Sequence, residues 1–144
     1  MRVREWMIAS LTTVPPATSV SEAREMMQRM RIRHLLVTEG QRLLGIITDR
    51  DIRLNLPSPA TSLSVWEINY LLSKLTVGEV MTKGVITVEP DRPIQDAARL
   101  ILDHRIGALP VVDAGRLVGI LTETDLLRAF VQSQGGPTAT PARA

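Results

Sequence analysis

The sequence predicts an α/β fold of two pseudo-symmetric β-α-β-β-α repeats packed on each other. Two observations carry that prediction. Sliding the 144-residue chain against itself by 74 positions aligns Met7 to Arg53 with Met81 to Leu127 without a gap, at about 15 identities. Within each copy, short apolar runs split by turn residues alternate with apolar residues at helical spacing.

Each repeat opens on a short strand, around Thr12 to Val14 in the first copy and Ile86 to Val88 in the second. A helix follows, with Val20, Ala23, Met27 and Met30 on one stripe, matched by Ile94, Ala97 and Ile101. Ser19 and Glu22 form a capping box at its start. The runs Leu35-Leu36-Val37 and Leu43-Leu44-Gly45-Ile46-Ile47 are split by Glu39-Gly40-Gln41, a hairpin signal that Asp113-Ala114-Gly115 repeats. A hairpin with one or two helices cannot bury its own apolar surface, so the two copies must pack together.

Between the repeats, Leu56-Pro57-Ser58-Pro59-Ala60 breaks the chain, and Ser64-Val65-Trp66-Glu67 starts a helix with its own capping box. Trp66, Tyr70 and Leu71 fall toward one side of that helix, a pattern that core or subunit contact accounts for. The boundaries expected are a first repeat over 1–60, a helical linker over 61–76, a second repeat over 77–131 and a flexible tail over 132–144, where few residues are apolar.

Composition narrows the function. The chain has no cysteine, which removes disulfides, thiolate catalysis and zinc-thiolate sites. His34 and His104 have no metal-ligand spacing, so the reading is that the chain is not an enzyme. The net charge of +2 is dispersed and only Trp6, Trp66, Tyr70 and Phe130 are aromatic, which argues against a nucleic-acid partner. No apolar run approaches the ~18 residues of a membrane span and Met1-Arg2-Val3-Arg4-Glu5 is not a secretory start, so a cytoplasmic address is expected.

The most informative motif is Gly45-Ile46-Ile47-Thr48-Asp49-Arg50-Asp51, echoed by Gly119-Ile120-Leu121-Thr122-Glu123-Thr124-Asp125. In both, an apolar strand ends at a Thr, a helix begins, and a carboxylate stands three residues on. One reading is a capping box and nothing more. The other uses the same geometry for a ligand: open N–H groups and a hydroxyl suit phosphate, and two carboxylate oxygens suit the hydroxyls of a ribose. Arg31-Ile32-Arg33-His34 brings cations to the end of the first copy's hairpin, where the second has Arg105-Ile106-Gly107-Ala108. With Arg50 beside Asp51, the site around Thr48 and Asp51 is expected to tolerate more phosphate charge.

The doubled pattern, the strand Leu109-Pro110-Val111 and the two Gly-x-x-Thr-x-x-Asp endings resemble a tandem pair of CBS (cystathionine-β-synthase) domains, a Bateman module, over roughly residues 3 to 131. The linker from Ser64 to Leu75, followed by Val80-Met81-Thr82, is similar to that of the AcuB-like subgroup. The resemblance implies two clefts between the repeats for AMP, ADP, ATP or another adenosyl ligand such as S-adenosylmethionine or NAD. It assigns ribose to Asp51 and Asp125, ribose or phosphate to Thr48 and Thr122, and phosphate to Arg33 and His34. It places adenine against Leu11, Thr12 and Leu35 in one cleft, and against Val85, Ile86, Ala108, Leu109 and Pro110 in the other. Two departures stand out: Leu36 occupies the usual proline position, and Met7-Ile8-Ala9-Ser10 replaces the Met-Thr opening that Met81-Thr82 keeps. The resemblance further implies a homodimer that regulates a separate protein. A ligand-free interaction module is the alternative.

Overall fold

The computed structural model describes residues 1–56 and 63–135. In chain order the elements are α1 (Val3–Trp6), β1 (Thr13–Val14), α2 (Val20–Met30), β2 (His34–Glu39), β3 (Arg42–Thr48), α3 (Asp49–Leu54), α4 (Val65–Lys74), α5 (Val77–Val80), α6 (Ile94–His104), β4 (Ala108–Asp113), β5 (Arg116–Thr122) and α7 (Glu123–Gln134). Adding 74 to the bounds of α1, α2, β2 and β3 returns those of α5, α6, β4 and β5, so the repeat read from the sequence is a repeat in space. Each copy has the expected strand-helix-strand-strand-helix order, except that the second copy's first strand shrinks to a single parallel bridge, Val88 to Val111.

In the first copy β1 runs parallel to β2 and β2 antiparallel to β3, in the order β1-β2-β3. The β2–β3 and β4–β5 hairpins share one register 74 residues apart, including a bulge at Val37/Thr38 and at Val111/Val112. Their turns use Gly40 (φ 62°) and the pair Ala114 (φ 49°) and Gly115 (φ 81°), a tight reversal that a left-handed residue makes possible. Helix α2 starts where the Ser19 side chain accepts the Glu22 N–H at 3.1 Å. It stops where Arg31 turns left-handed (φ 55°) and Ile32 N–H donates to the Met27 carbonyl at 3.0 Å; Arg105 (φ 53°) and Ile106 stop α6 in the same way.

Two hydrophobic cores form, and each borrows from the other repeat. The first gathers Val14, Val20, Ala23, Met27, Leu35, Val37, Ile47 and Ile52, together with Leu72 from the linker helix and Val77 from beyond it. The second gathers Val88, Ala97, Ile101, Leu109, Val111 and Leu121, together with Val3 from the chain start. Backbone hydrogen bonds hold the exchange. Val3 N–H donates to the Arg92 carbonyl at 2.9 Å, Val77 N–H to Thr18 at 2.7 Å, and Val20 N–H to Leu75 at 2.9 Å. Ile8 pairs with Ile120, and Thr82 with Ile46, through reciprocal bonds of 2.8 to 3.1 Å.

Three expectations change. Trp66, Tyr70 and Leu71 are 83%, 62% and 42% exposed, and the core face of α4 is instead Ile68, Leu72 and Leu75, spaced at i, i+4 and i+7. Met30, 44% exposed, sits past the buried part of its stripe. Helix α7 continues through Gln134 into the expected tail and ends at left-handed Gly135. The Pro57-Ser58-Pro59-Ala60 break, and the tail from Gly136 on, lie outside the described residues.

Candidate functional site

The exchange of chain starts builds the clefts. Strand β5 ends at Thr122 beside the incoming segment Met7 to Thr12, because Ile8 is bonded to Ile120; β3 ends at Thr48 beside Met81 and Thr82, because Thr82 is bonded to Ile46. The motif glycines permit that approach. A Cβ on Gly45 would lie 2.7 Å from the Thr82 carbonyl oxygen, and one on Gly119 would lie 2.6 Å from Met7 Sδ and 3.1 Å from the Ile8 oxygen.

At both strand ends the Thr/Asp pair closes a capping box. Thr48 donates to Asp51 Oδ2 from its N–H at 2.9 Å and from its hydroxyl at 3.0 Å, and the Asp51 N–H returns to Thr48 Oγ1 at 3.1 Å. Thr122 donates to Asp125 Oδ2 from its N–H at 2.8 Å and from its hydroxyl at 3.0 Å. The two carboxylates differ in their second oxygen. Asp51 Oδ1 accepts the Thr82 hydroxyl at 3.3 Å, a long bond on a half-buried group. Ile8 stands at the equivalent place in the other copy, so Asp125 Oδ1 faces Arg128 Nη1 at 3.6 Å, and Asp125 is only 3% exposed.

A cleft of about 700 Å³ opens between the repeats. One wall is the chain start, Ile8, Ser10, Leu11 and Thr12; another is the end of α2 and start of β2, from Arg31 to His34, with Leu36. The opposite wall belongs to the second repeat: Gly107, Ile120, Thr122, Glu123 and Thr124. The volume falls in the range that small-molecule sites occupy, and the wall mixes apolar side chains with a few polar and cationic ones. A second, smaller cavity of about 410 Å³ is lined by Arg33, His34, Thr48, Asp49, Arg50 and Arg53. Burial holds the His34 imidazole below its ordinary 6.5, with Arg33 acting in the same direction and Glu123 and Asp51 opposing it. His34 therefore feels a carboxylate from each strand-to-helix mouth, and its ring lies against Gly107, whose Cβ would meet Nε2 at 3.4 Å.

The structure regroups the residues singled out in the sequence. Leu11, Thr12, Arg33 and His34 share the large cleft with Thr122 of the other repeat, and Arg33 and His34 also line the smaller cavity with Thr48. Leu35 and Leu109 are 0% exposed and belong to the cores, so they offer a ligand no surface. The period of two along a strand sets the pattern: His34 and Leu36 line the cleft and Leu35 takes the opposite face. Ala108 and Pro110 are buried on β4, while Val85 and Ile86 are half-buried. Ile8 and Leu36 are wall residues that motif spacing does not reveal, because the exchange decides which strand end each segment meets, while Ile120, Glu123 and Thr124 of the second motif join the wall beside its Thr122.

The fold is that of a paired-repeat module with a cleft between its halves. The chain belongs to the CBS domain family, which matches residues 3–58 and 77–132. It is 31% identical to the CBS domain-containing protein YhcV of Bacillus subtilis, over 86% of this chain and 81% of that one. It is 35% identical to the chloroplastic CBS domain-containing protein CBSX2 of Arabidopsis thaliana, spanning 60% of that protein. It spans 23% of a homoserine O-acetyltransferase from Methanohalobium evestigatum, at 33% identity over 88% of this chain. Among solved structures, an AcuB protein from Vibrio cholerae superposes with a TM-score of 0.76 at 26% identity, covering 95% of this chain and 98% of that one. CBSX2 in complex with AMP superposes at 0.76 with 33% identity, covering 92% and 98%. The CBS domain pair of MJ0100, in complex with 5-methylthioadenosine and S-adenosyl-L-methionine, superposes at 0.74 with 30% identity, also covering 92% and 98%. No helix among the described residues is long and apolar enough to cross a membrane.

Proposed function

We propose that the chain is a regulatory sensor that binds an adenosine-containing nucleotide between its repeats and performs no chemistry on it. The observation that carries the proposal is the 700 Å³ cleft built from both repeats, with Ile8, Leu11, Leu36 and Ile120 to cover a base and Arg31 and Arg33 to meet phosphate. The AMP complex of CBSX2 and the adenosyl complexes of MJ0100 support this reading. Thr122 and Thr48 offer hydroxyls to ribose or phosphate. Asp51 and Asp125 offer ribose Oδ1 while Oδ2 stays in the capping box; at Asp125 the exposed Arg128 side chain must first swing aside. AMP, ADP or ATP is the ligand class that the free arginines favour.

A ligand spanning both repeats favours one relative arrangement of them by its differential affinity, and the readout falls to a separate protein. Homodimerisation is the state proposed, through the exposed Leu127, Phe130 and Val131 of α7. A second reading, a ligand-free interaction module, draws on one observation: both Thr/Asp pairs are already satisfied as helix caps. A thermal-shift screen of nucleotide-free protein with AMP, ADP, ATP, NAD and S-adenosylmethionine separates the two. A ligand at about 100 times its dissociation constant adds ~2.7 kcal/mol, well within resolution. A shift that Asp51→Asn or Asp125→Asn abolishes supports the sensor, since the Asn amide oxygen can still accept the N-cap Thr N–H of the capping box but leaves no second acceptor oxygen for ribose. No shift with any ligand leaves the interaction module.

A further inference from the structure

The two cavities beside the strand-to-helix mouths are not independent. Arg33 and His34 line both: the large cleft that holds Thr122, and the smaller cavity that holds Thr48. The positions related to them by the repeat are Gly107 and Ala108, which carry no charge, so the second copy supplies no matching pair. Among the described residues, Arg31, Arg33 and Arg50 make no ion pair, whereas Arg53 is bonded to Asp49 at 3.2 Å. Each cavity thus has two unpaired arginines, Arg31 and Arg33 in one and Arg33 and Arg50 in the other. One of the two is common property. His34 lies against Gly107, and burial, which lowers its pKa, disfavours a charge on the ring.

We infer that the two sites bind phosphorylated nucleotides with negative coupling, because Arg33 is shared and can neutralise the phosphate of only one ligand at a time. This rests on the nucleotide-sensor reading and adds its regulation: the chain responds to the first nucleotide over one concentration range and to the second over a much higher one. A hydrogen bond to a charged group is worth roughly 1.5–3 kcal/mol, so losing Arg33 weakens the second step about tenfold or more. Independent sites set a floor of about fourfold on statistical grounds alone, and the unlike linings of these two cavities can only raise it. The dissociation constants of the two ADP steps should therefore differ by about 40-fold or more.

The test is calorimetric titration of nucleotide-free full-length protein with ADP, in the wild type, Arg33→Ala and Gly107→Arg, with circular dichroism melts showing that all three fold. In Arg33→Ala the first step weakens toward the second and the ratio falls by about tenfold. In Gly107→Arg, which gives the second copy its own cation, the second step tightens by about tenfold; a wild type with one visible step gains a second. A ratio near fourfold in the wild type, a ratio unchanged in Arg33→Ala, or a single step in all three proteins overturns the coupling while leaving the sensor intact. No ADP binding by any of them overturns both.

Discussion

The motif glycines give the sharpest test of the exchanged architecture, because the two copies should respond unequally to the same substitution. In Gly45→Ala the new methyl falls 2.7 Å from a backbone oxygen, that of Thr82, which cannot turn aside as a side chain can. Relief requires β3 to part from residues 81–82, at the expense of the Ile46 N–H to Thr82 bond at 3.1 Å and its reciprocal at 2.8 Å. Overpacking costs about 1–3 kcal/mol, and two weakened hydrogen bonds add about 0.5–1.5 kcal/mol each. Replacing a glycine returns about 0.4–1 kcal/mol through the unfolded chain. A net loss of about 3 kcal/mol is expected. In Gly119→Ala the nearest atom is the flexible Met7 thioether at 2.6 Å, with backbone no closer than 3.1 Å, so about 1 kcal/mol is expected after relaxation. Urea unfolding of the two variants beside the wild type measures both values. Equal losses, or a larger loss for Gly119→Ala, would refute the claim that the Thr82 backbone lies tight against β3 at Gly45.

Two further predictions follow from the cores and from His34. Val3→Ala removes two methyl groups from a side chain that is 0% exposed, a loss of about 2 kcal/mol with its cavity. Hydrogen exchange should register that loss first in β4, β5 and α6, although Val3 opens the first repeat; Val77→Ala should loosen β2, β3 and α2 instead. Loosening of its own repeat alone would contradict the exchange. For His34, the folded state holds the imidazole below 6.5, so the unfolded chain takes the proton first as pH falls. Its contribution is fully present above 6.5 and is lost as pH drops from there through the lowered value. His34→Gln should flatten the fall in stability between about pH 7.5 and 5.5 in urea titrations. An unchanged slope would show that His34 keeps a solvent-like environment.

The repeat was legible in the sequence because local rules write it twice. Ser19, Thr48 and Ser64 each cap the helix their spacing announces, and Gly40 turns the hairpin that Glu39-Gly40-Gln41 marks. Partner choice was not legible. Val3 and Val77 have equivalent surroundings, so nothing in the periodicity says whether each packs on its own hairpin or on its sister's. The same ambiguity left open which Thr/Asp pair Leu11 and Thr12 would join; the crossing of the chain starts sets them beside Thr122. The Leu35/Leu36 choice failed for a smaller reason. A run of apolar residues hides which face of a strand each one takes, and here both faces are buried.

The claim at the centre of this account is that one nucleotide touches both repeats. Calorimetric titration of nucleotide-free protein with AMP, in the wild type, Arg33→Ala from the first repeat, Asp125→Asn from the second, and the double variant, tests it directly. Measurable binding is expected in the wild type, with a tighter step weakened about tenfold by either single substitution, and a double variant in which the losses do not simply add, as for groups that act on one ligand. Absence of heat in the wild type, or losses confined to separate steps and fully additive, would contradict it.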